Sequence, residues 1–322
     1  MLPAAQSIFM VVVLLLSLYG LGKSAEYLIT TITRVGFALR LSQFITGFLI
    51  LGIATSTPEI LIAINSSVSG IPQLSLGNLL GANIVLLTLI AGGTAILARG
   101  VTLKSGFQAP IHLAQVALLI FSPIIVLIDS HISRLDSLFL LALYAGYIVY
   151  IYRLNSQSSP PLDKQLLNHK FIHSALLSVI GLLGVIICAK GVVTSALTLG
   201  QSFGLPPLVV GLLILSVGTN LPEISIAITA VKKHHSNLVL GDVLGSAATN
   251  TAVVGLLGLI TPFTVDFGSS FAVTSLFLIA SLVLFVSFTR SKDRLTPYEG
   301  ASLMALYVAY VTAEIVSGSL RL

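Results

Sequence analysis

The sequence predicts an all-α polytopic membrane protein, ten transmembrane helices built as two inverted five-helix repeats. Three observations carry that prediction. Hydrophobic residues make up 56% of the 322 and charged residues only 8%, against roughly 25% charged in a soluble domain. Apolar runs of about 20 residues, the length that crosses a bilayer, recur along the chain. Finally, residues 47–86 align with 211–250 at a constant offset of 164 without a gap, and 16 of the 40 pairs are identical. Shared apolar composition alone would give about four.

The ten segments fall at 6–31, 41–66, 74–98, 108–128, 135–153, 170–200, 205–230, 237–261, 269–289 and 296–316. The first contains "SIFMVVVLLLSLYGLG" and lacks the basic leader and small-residue cleavage site of a signal peptide, so it reads as a span. The second and seventh carry the two copies of the strongest repeat, and the third and eighth complete those copies. The fifth ends in "YAGYIVYIY", an aromatic belt suited to the membrane interface. The first and sixth are a fainter pair, with Lys23 and Lys190 placed alike; both lysines read as snorkelling or locally paired. The polar stretch 154–169 is a linker between a first half, 1–153, and a second half, 170–322.

Loop charge orients the segments. Arg34, Arg40, Arg99, Lys104, Arg153, Lys164, Lys170, Lys232, Lys233, Arg290, Lys292 and Arg294 all follow odd-numbered segments. Only Arg134 and Arg321 lie on the other side. Lys and Arg accumulate in cytoplasmic loops, which places both termini outside, in what reads as a prokaryotic inner membrane. The net charge of +5 thus reports topology and gives no reason to expect nucleic acid as a partner. The single cysteine, Cys188, excludes a disulfide framework and reads as a packing residue. Five helices per half is an odd number, so the second half enters the membrane from the opposite side. Inverted repeats with interrupted helices are the layout of secondary transporters, whose site lies near the midplane where the repeats meet.

The matched stretches "LGIATSTPEILIAI" (51–64) and "LSVGTNLPEISIAI" (215–228) each place Pro and Glu in mid-segment. Pro58 and Pro222 remove an N–H and displace the carbonyl four residues earlier, on Ala54 and Gly218. A carboxylate at helix centre costs about 2.5–3.5 kcal/mol on insertion scales, so Glu59 and Glu223 together cost at least ~5 kcal/mol. One such residue is a local kink with a paired side chain; two at matched positions point to a shared site. Carboxylates with hydroxyls and carbonyls suit a hard cation, and Ca2+ takes six to eight oxygens in flexible geometry. The motifs hold no His or Cys, which argues against Zn2+ or copper. Two facing carboxylates repel, so protons compete with cations for them.

"GIATSTPE" and "SVGTNLPE", followed by "GNLLGANI" and "GDVLGSAATN", resemble the two α-repeats of the cation/Ca2+ antiporter superfamily, most closely its Na+/Ca2+ exchanger branch. That resemblance implies segments 2, 3, 7 and 8 as a core, with segments 1 and 6 sliding across it to give alternating access. It implies Ca2+ held by Glu59 and Glu223 with the carbonyls of Thr55 and Thr219. It implies flanking Na+ sites using the carbonyls of Gly52 and Ser216 and nearby polar groups. One flanking set is intact: Gly52, Thr55, Ser56 and Ser246, with Glu223. The other departs from the pattern, with Asn220 and Ala82 where serines are expected, Leu86 for an amide, and Asn250 for a position often held by Asp. Asn78 and Asp242 read mainly as structural.

The expected function is secondary antiport of Ca2+ against Na+. H+ in place of Na+ is the alternative, favoured by the eroded set. A channel or non-transporting scaffold is a weaker third, because each chain already holds both halves of a site. Nothing resembles a nucleophile and base, so an enzyme is not expected. No cofactor beyond the transported ions and no obligatory protein partner is implied; lipid is the surrounding solvent.

Overall fold

The computed structural model describes residues 4–68, 70, 72–102, 110–157, 169–202, 218, 220–265, 269–291 and 294–319. Nine helices among them are long and apolar enough to cross a membrane. The seventh expected segment, 205–230, lies largely outside the described residues. Its C-terminal half is helix α10 (Leu221–Lys232). The described residues are thus mostly helical, consistent with ten spans in two inverted repeats.

The first half opens with α1 (Ala4–Ala38), 35 residues long and so about 50 Å from end to end. It runs well past the expected end at residue 31, so Arg34 stands on a helix and not in a loop. The second span is broken into pieces: α2 (Gln43–Thr46), a π-helical stretch (Gly47–Leu51), α3 (Gly52–Thr55) and α4 (Thr57–Val68). The third is α5 (Pro72–Ile84), a second π-helical stretch (Val85–Ile90) and α6 (Ala91–Leu97). A short strand β1 (Val101–Thr102) leads towards α7 (Pro110–Val126), and β2 (His131–Ile132) precedes α8 (Arg134–Gln157).

The second half begins with α9 (His169–Ser202) and continues through α10 to α11 (Ser236–Ile260). Strand β3 (Phe263–Thr264), α12 (Ser269–Ser291), β4 (Arg294–Leu295) and α13 (Pro297–Ser319) complete it. Helix α11 is the axis of the molecule. It packs against α2, the first π-helical stretch, α3, α4, α5, α7 and α8, and 78% of its spanning window is buried, against 28% for α12. Helices α1 and α9 pack along each other, and α1 meets the rest mainly through α10 and α2.

Two antiparallel ribbons tie the halves together. β1 pairs with β4, Val101 opposite Leu295, and β2 pairs with β3, Ile132 opposite Phe263. The first joins the loops after the third and ninth spans, the second those after the fourth and eighth. Exchanging the halves turns one ribbon into the other, as an inverted repeat requires. Of the secondary readings, Lys23 pairs locally with Glu26 at 3.3 Å, and half-buried Cys188 packs against Gly20 on α1.

Candidate functional site

The helix break at Ser56 sets the site. α3 ends there with φ −73° and ψ 4°, and α4 restarts at Thr57 with Pro58 in its first turn, where a missing N–H costs nothing because it would be unpaired anyway. Ala54, the carbonyl that Pro58 deprives of its helical donor, is recaptured by the Thr57 hydroxyl at 2.7 Å. Expected free from the sequence, it is taken up locally. The second repeat copies the device. Asn220 precedes α10, Pro222 lies in its first turn, and Ile224 N–H donates to Asn220 O at 3.0 Å as Ile60 N–H does to Ser56 O at 3.0 Å. Each break therefore leaves a carboxylate in the first turn of a helix that starts at membrane depth, where unpaired N–H groups and the helix dipole favour an anion.

Glu59 is 3% exposed, Glu223 1% and Asp242, from α11, 0%. Glu223 interacts electrostatically with both Glu59 and Asp242, so the two halves do bring their carboxylates together. Oε2 of Glu59, Oε2 of Glu223 and Oδ2 of Asp242 have no hydrogen-bond partner. Among the described residues no Lys or Arg is buried. The centre is a cluster of buried carboxyl groups with no buried Lys or Arg among the described residues, and an unpaired buried charge is among the most costly features a fold can hold.

Hydroxyls and carbonyls surround it. Thr55 Oγ1 lies 3.0 Å from Leu51 O, 3.3 Å from Asp242 Oδ1 and 3.1 Å from Ser246 Oγ. Gly52 O accepts from Ser56 Oγ at 2.8 Å and from Ser246 Oγ at 3.4 Å. Gly52, Thr55, Ser56 and Ser246 are thus gathered in one place, beside Glu223. An added Cβ on Gly52 would sit 2.6 Å from Ser246 N, so only glycine lets the two repeats meet so closely there.

The departing positions behave differently. Asn250 does not face an open ligand position with its amide nitrogen; it donates to Asn83 Oδ1 at 2.7 Å, bridging α11 to α5. Ala82 and Leu86 are buried at 4% and 1% exposure, Leu86 within a π-helical stretch. Asn220 is buried at the start of α10. Thr219 and Ser216 lie outside the described residues. Sequence reasoning passed over Asn83, although "GAN" against "GSA" in the repeat alignment marked Asn83 as a polar residue without a partner in the other half.

Comparison with known proteins identifies the family. The family model described as "Sodium/calcium exchanger protein" matches residues 9–153 and 173–316. The chain is 25% identical to the sodium/calcium exchanger MaX1 of Methanosarcina acetivorans, over 93% of its own length and 96% of that protein's. It is 28% identical to the inner membrane protein YrbG of Escherichia coli, over 80% of each. A solved structure of the sodium-calcium exchanger NCX_Mj, soaked with 2.5 mM Na+ and 1 mM Sr2+, superposes with a TM-score of 0.82 at 25% identity, covering 95% of this chain and 98% of that one. With both halves matched by the family model and the helices arranged as in a solved exchanger, the chain belongs to the sodium/calcium exchanger family of membrane cation antiporters.

Proposed function

We propose that this protein exchanges Ca2+ for Na+ across the membrane by alternating access, with Glu59 and Glu223 gripping the two ions in turn. The observation that carries it is the pair of buried carboxylates from oppositely directed repeats, each with an unpartnered oxygen and, among the described residues, no buried Lys or Arg to balance it. Shared ligands make exchange obligatory: an occupied carrier has its charges neutralised and can pass through an occluded state, whereas an empty one would carry bare carboxylates through it. Ca2+ is bound by Glu59 and Glu223 with backbone oxygens of Thr55 and Thr219. Na+ uses Gly52, Ser56, Ser246 and Glu223 on one flank, with Ser216, Asn220 and Asn250 around the other. Residues 1–153 and 170–322 act as the two halves, and the α1–α9 pair moves against the rest, since α1 and α9 pack chiefly on each other. Both termini lie outside an inner membrane, and lipid is the only partner that the mechanism needs.

The test is Ca2+ uptake into proteoliposomes, first driven by an outward Na+ gradient at fixed pH, then by a pH gradient without Na+. Uptake in the first arm supports the reading. A charged contact is worth about 1.5–3 kcal/mol, so Glu59→Gln or Glu223→Gln is expected to weaken Ca2+ binding roughly ten- to hundredfold while the protein stays folded. Unimpaired flux in Glu59→Gln refutes the assignment. Uptake only in the second arm favours H+ coupling, for which Ala82, Leu86 and Asn220 in place of the expected polar pattern are the supporting observation.

A further inference from the structure

Helix α10 carries an apolar stripe that ends in charge. Leu221, Ile224 and Ile228 stand three and four residues apart along it, a spacing that places them on one face, and Lys232 follows four residues on. Helix α1 lies opposite and repeats the gradient: Leu18 and Leu21 come first, then Lys23 and Glu26. The two helices run in the same direction here, because Ser225 Oγ donates to Leu21 O at 3.5 Å and Lys233 Nζ to Thr30 Oγ1 at 2.6 Å. Their apolar residues therefore share one end of the contact and their charges the other.

The two helices do not close on each other along this face. Between them lies an open cleft of about 570 Å³ lined by these residues, within the roughly 300–1,000 Å³ of small-molecule sites. Leu18, Tyr19 and Ile228, on its walls, are exposed, so the cleft opens sideways onto lipid. Water is a poor filler for its apolar end, since an ordered water needs two to four polar partners. The charged end is unbalanced. Glu26 lies 3.3 Å from Lys23 and 3.7 Å from Lys233, so one carboxylate serves two lysines, and Lys232 is in no ion pair with a described residue. Three lysines against one glutamate leave two positive charges at the mouth. Lysines at a membrane face also serve topology, but that purpose needs no apolar cleft beneath them.

We propose that this cleft binds one anionic phospholipid from the leaflet at which α10 ends. An acyl chain lies against Leu18, Leu21, Leu221, Ile224 and Ile228, and the headgroup phosphate meets Lys23, Lys232 and Lys233. A zwitterionic lipid fills the same apolar space but leaves the two charges unmet. Because α10 carries Glu223 and α1 belongs to the pair proposed to move, the lipid stands between the moving helix and the ion centre. Its binding can be measured without any ion exchange.

The chain contains no tryptophan, so an introduced one reports alone. Tyr19→Trp places it in the cleft. The purified protein is reconstituted in phosphatidylcholine vesicles carrying a small fixed fraction of brominated lipid, either phosphatidylglycerol or phosphatidylcholine, and quenching of the indole fluorescence by bromine is compared. Leu118→Trp is the reference, because it lies in the groove between α7 and α12, which no lysine lines. A headgroup anion gains about fivefold in affinity for each lysine near the membrane surface. Tyr19→Trp is therefore expected to prefer brominated phosphatidylglycerol about five- to twenty-five-fold more than Leu118→Trp does. Adding Lys232→Gln should lower that preference about fivefold. Equal preference at the two positions overturns the proposal, and so does a preference that Lys232→Gln leaves undiminished. If Tyr19→Trp does not fold, Leu18→Trp, in the same cleft, makes the same comparison.

Discussion

At the scale of single residues, the site is governed by which polar atoms have partners and which do not. Glu59 and Glu223 end in unpartnered oxygens, whereas Glu314, also buried, accepts from Thr274 Oγ1 at 2.8 Å. Burial alone therefore does not set Glu59 and Glu223 apart; their unpartnered oxygens do. Asn250 and Asn83 form an amide bridge at 2.7 Å, which ties the repeats together without adding charge. Leu86, buried at 1%, holds the place where the family pattern has an amide. Leu86→Asn is expected to change the Na+ dependence of Ca2+ uptake, and it cannot rescue Glu223→Ala. An unaltered Na+ profile would show that position 86 lies outside the ion pathway.

Elements meet at two contrasting contacts. One is a glycine seam: a Cβ on Gly245 would fall 2.7 Å from Phe48 Cα, so α11 and the first π-helical stretch touch backbone to backbone, as small residues allow between membrane helices. Gly245→Ala forces them apart, and overpacking of this kind costs about 1–3 kcal/mol. A lowered thermal midpoint of the purified protein, with less Ca2+ uptake, is the expected outcome. The other contact is polar. Lys233, past the end of α10, reaches Thr30 Oγ1 at 2.6 Å and lies 3.7 Å from Glu26 Oε1 on α1. Exposed pairs contribute about 0–1 kcal/mol, so Lys233→Ala should hardly alter stability. Because that contact ties α10 to α1, and α1 with α9 is the pair proposed to move, Lys233→Ala should instead shift the balance of inward and outward states, read as altered solvent accessibility of a reporter on α1. The starts of α8 and α13 are fixed by matched capping boxes. Ser133 with Asp136 and Thr296 with Glu299 exchange backbone N–H donors at 2.9 and 3.2 Å, and at 2.8 and 3.4 Å.

For the whole molecule, the two ribbons join only loops of like parity, so each lies at one face of the membrane. Arg99 beside β1 and Ser130 beside β2 should therefore label from opposite sides. In a Cys188→Ala background, a cysteine at 99 is expected to react only with reagent delivered to the cytoplasm, and one at 130 only with reagent outside. Reaction of both from one side would overturn the span count. Most of this architecture was legible in the sequence. Apolar run length gives the expected number of crossings, loop charge gives an expected orientation for the labelling to test, and a repeat with an odd number of spans must be inverted. The paired Glu-Pro motifs were legible too, because a carboxylate and a helix breaker at membrane depth are costly enough to need a reason. Less visible were the extension of α1 to Ala38, the recapture of the Ala54 carbonyl by Thr57, and the partners of Asn83 and Asp242. Composition and periodicity act along one chain segment and determine what can enter the membrane. Only tertiary packing decides which atoms of α3, α10 and α11 come within hydrogen-bonding distance, because contacts between residues almost two hundred positions apart depend on how closely glycine lets two helices cross.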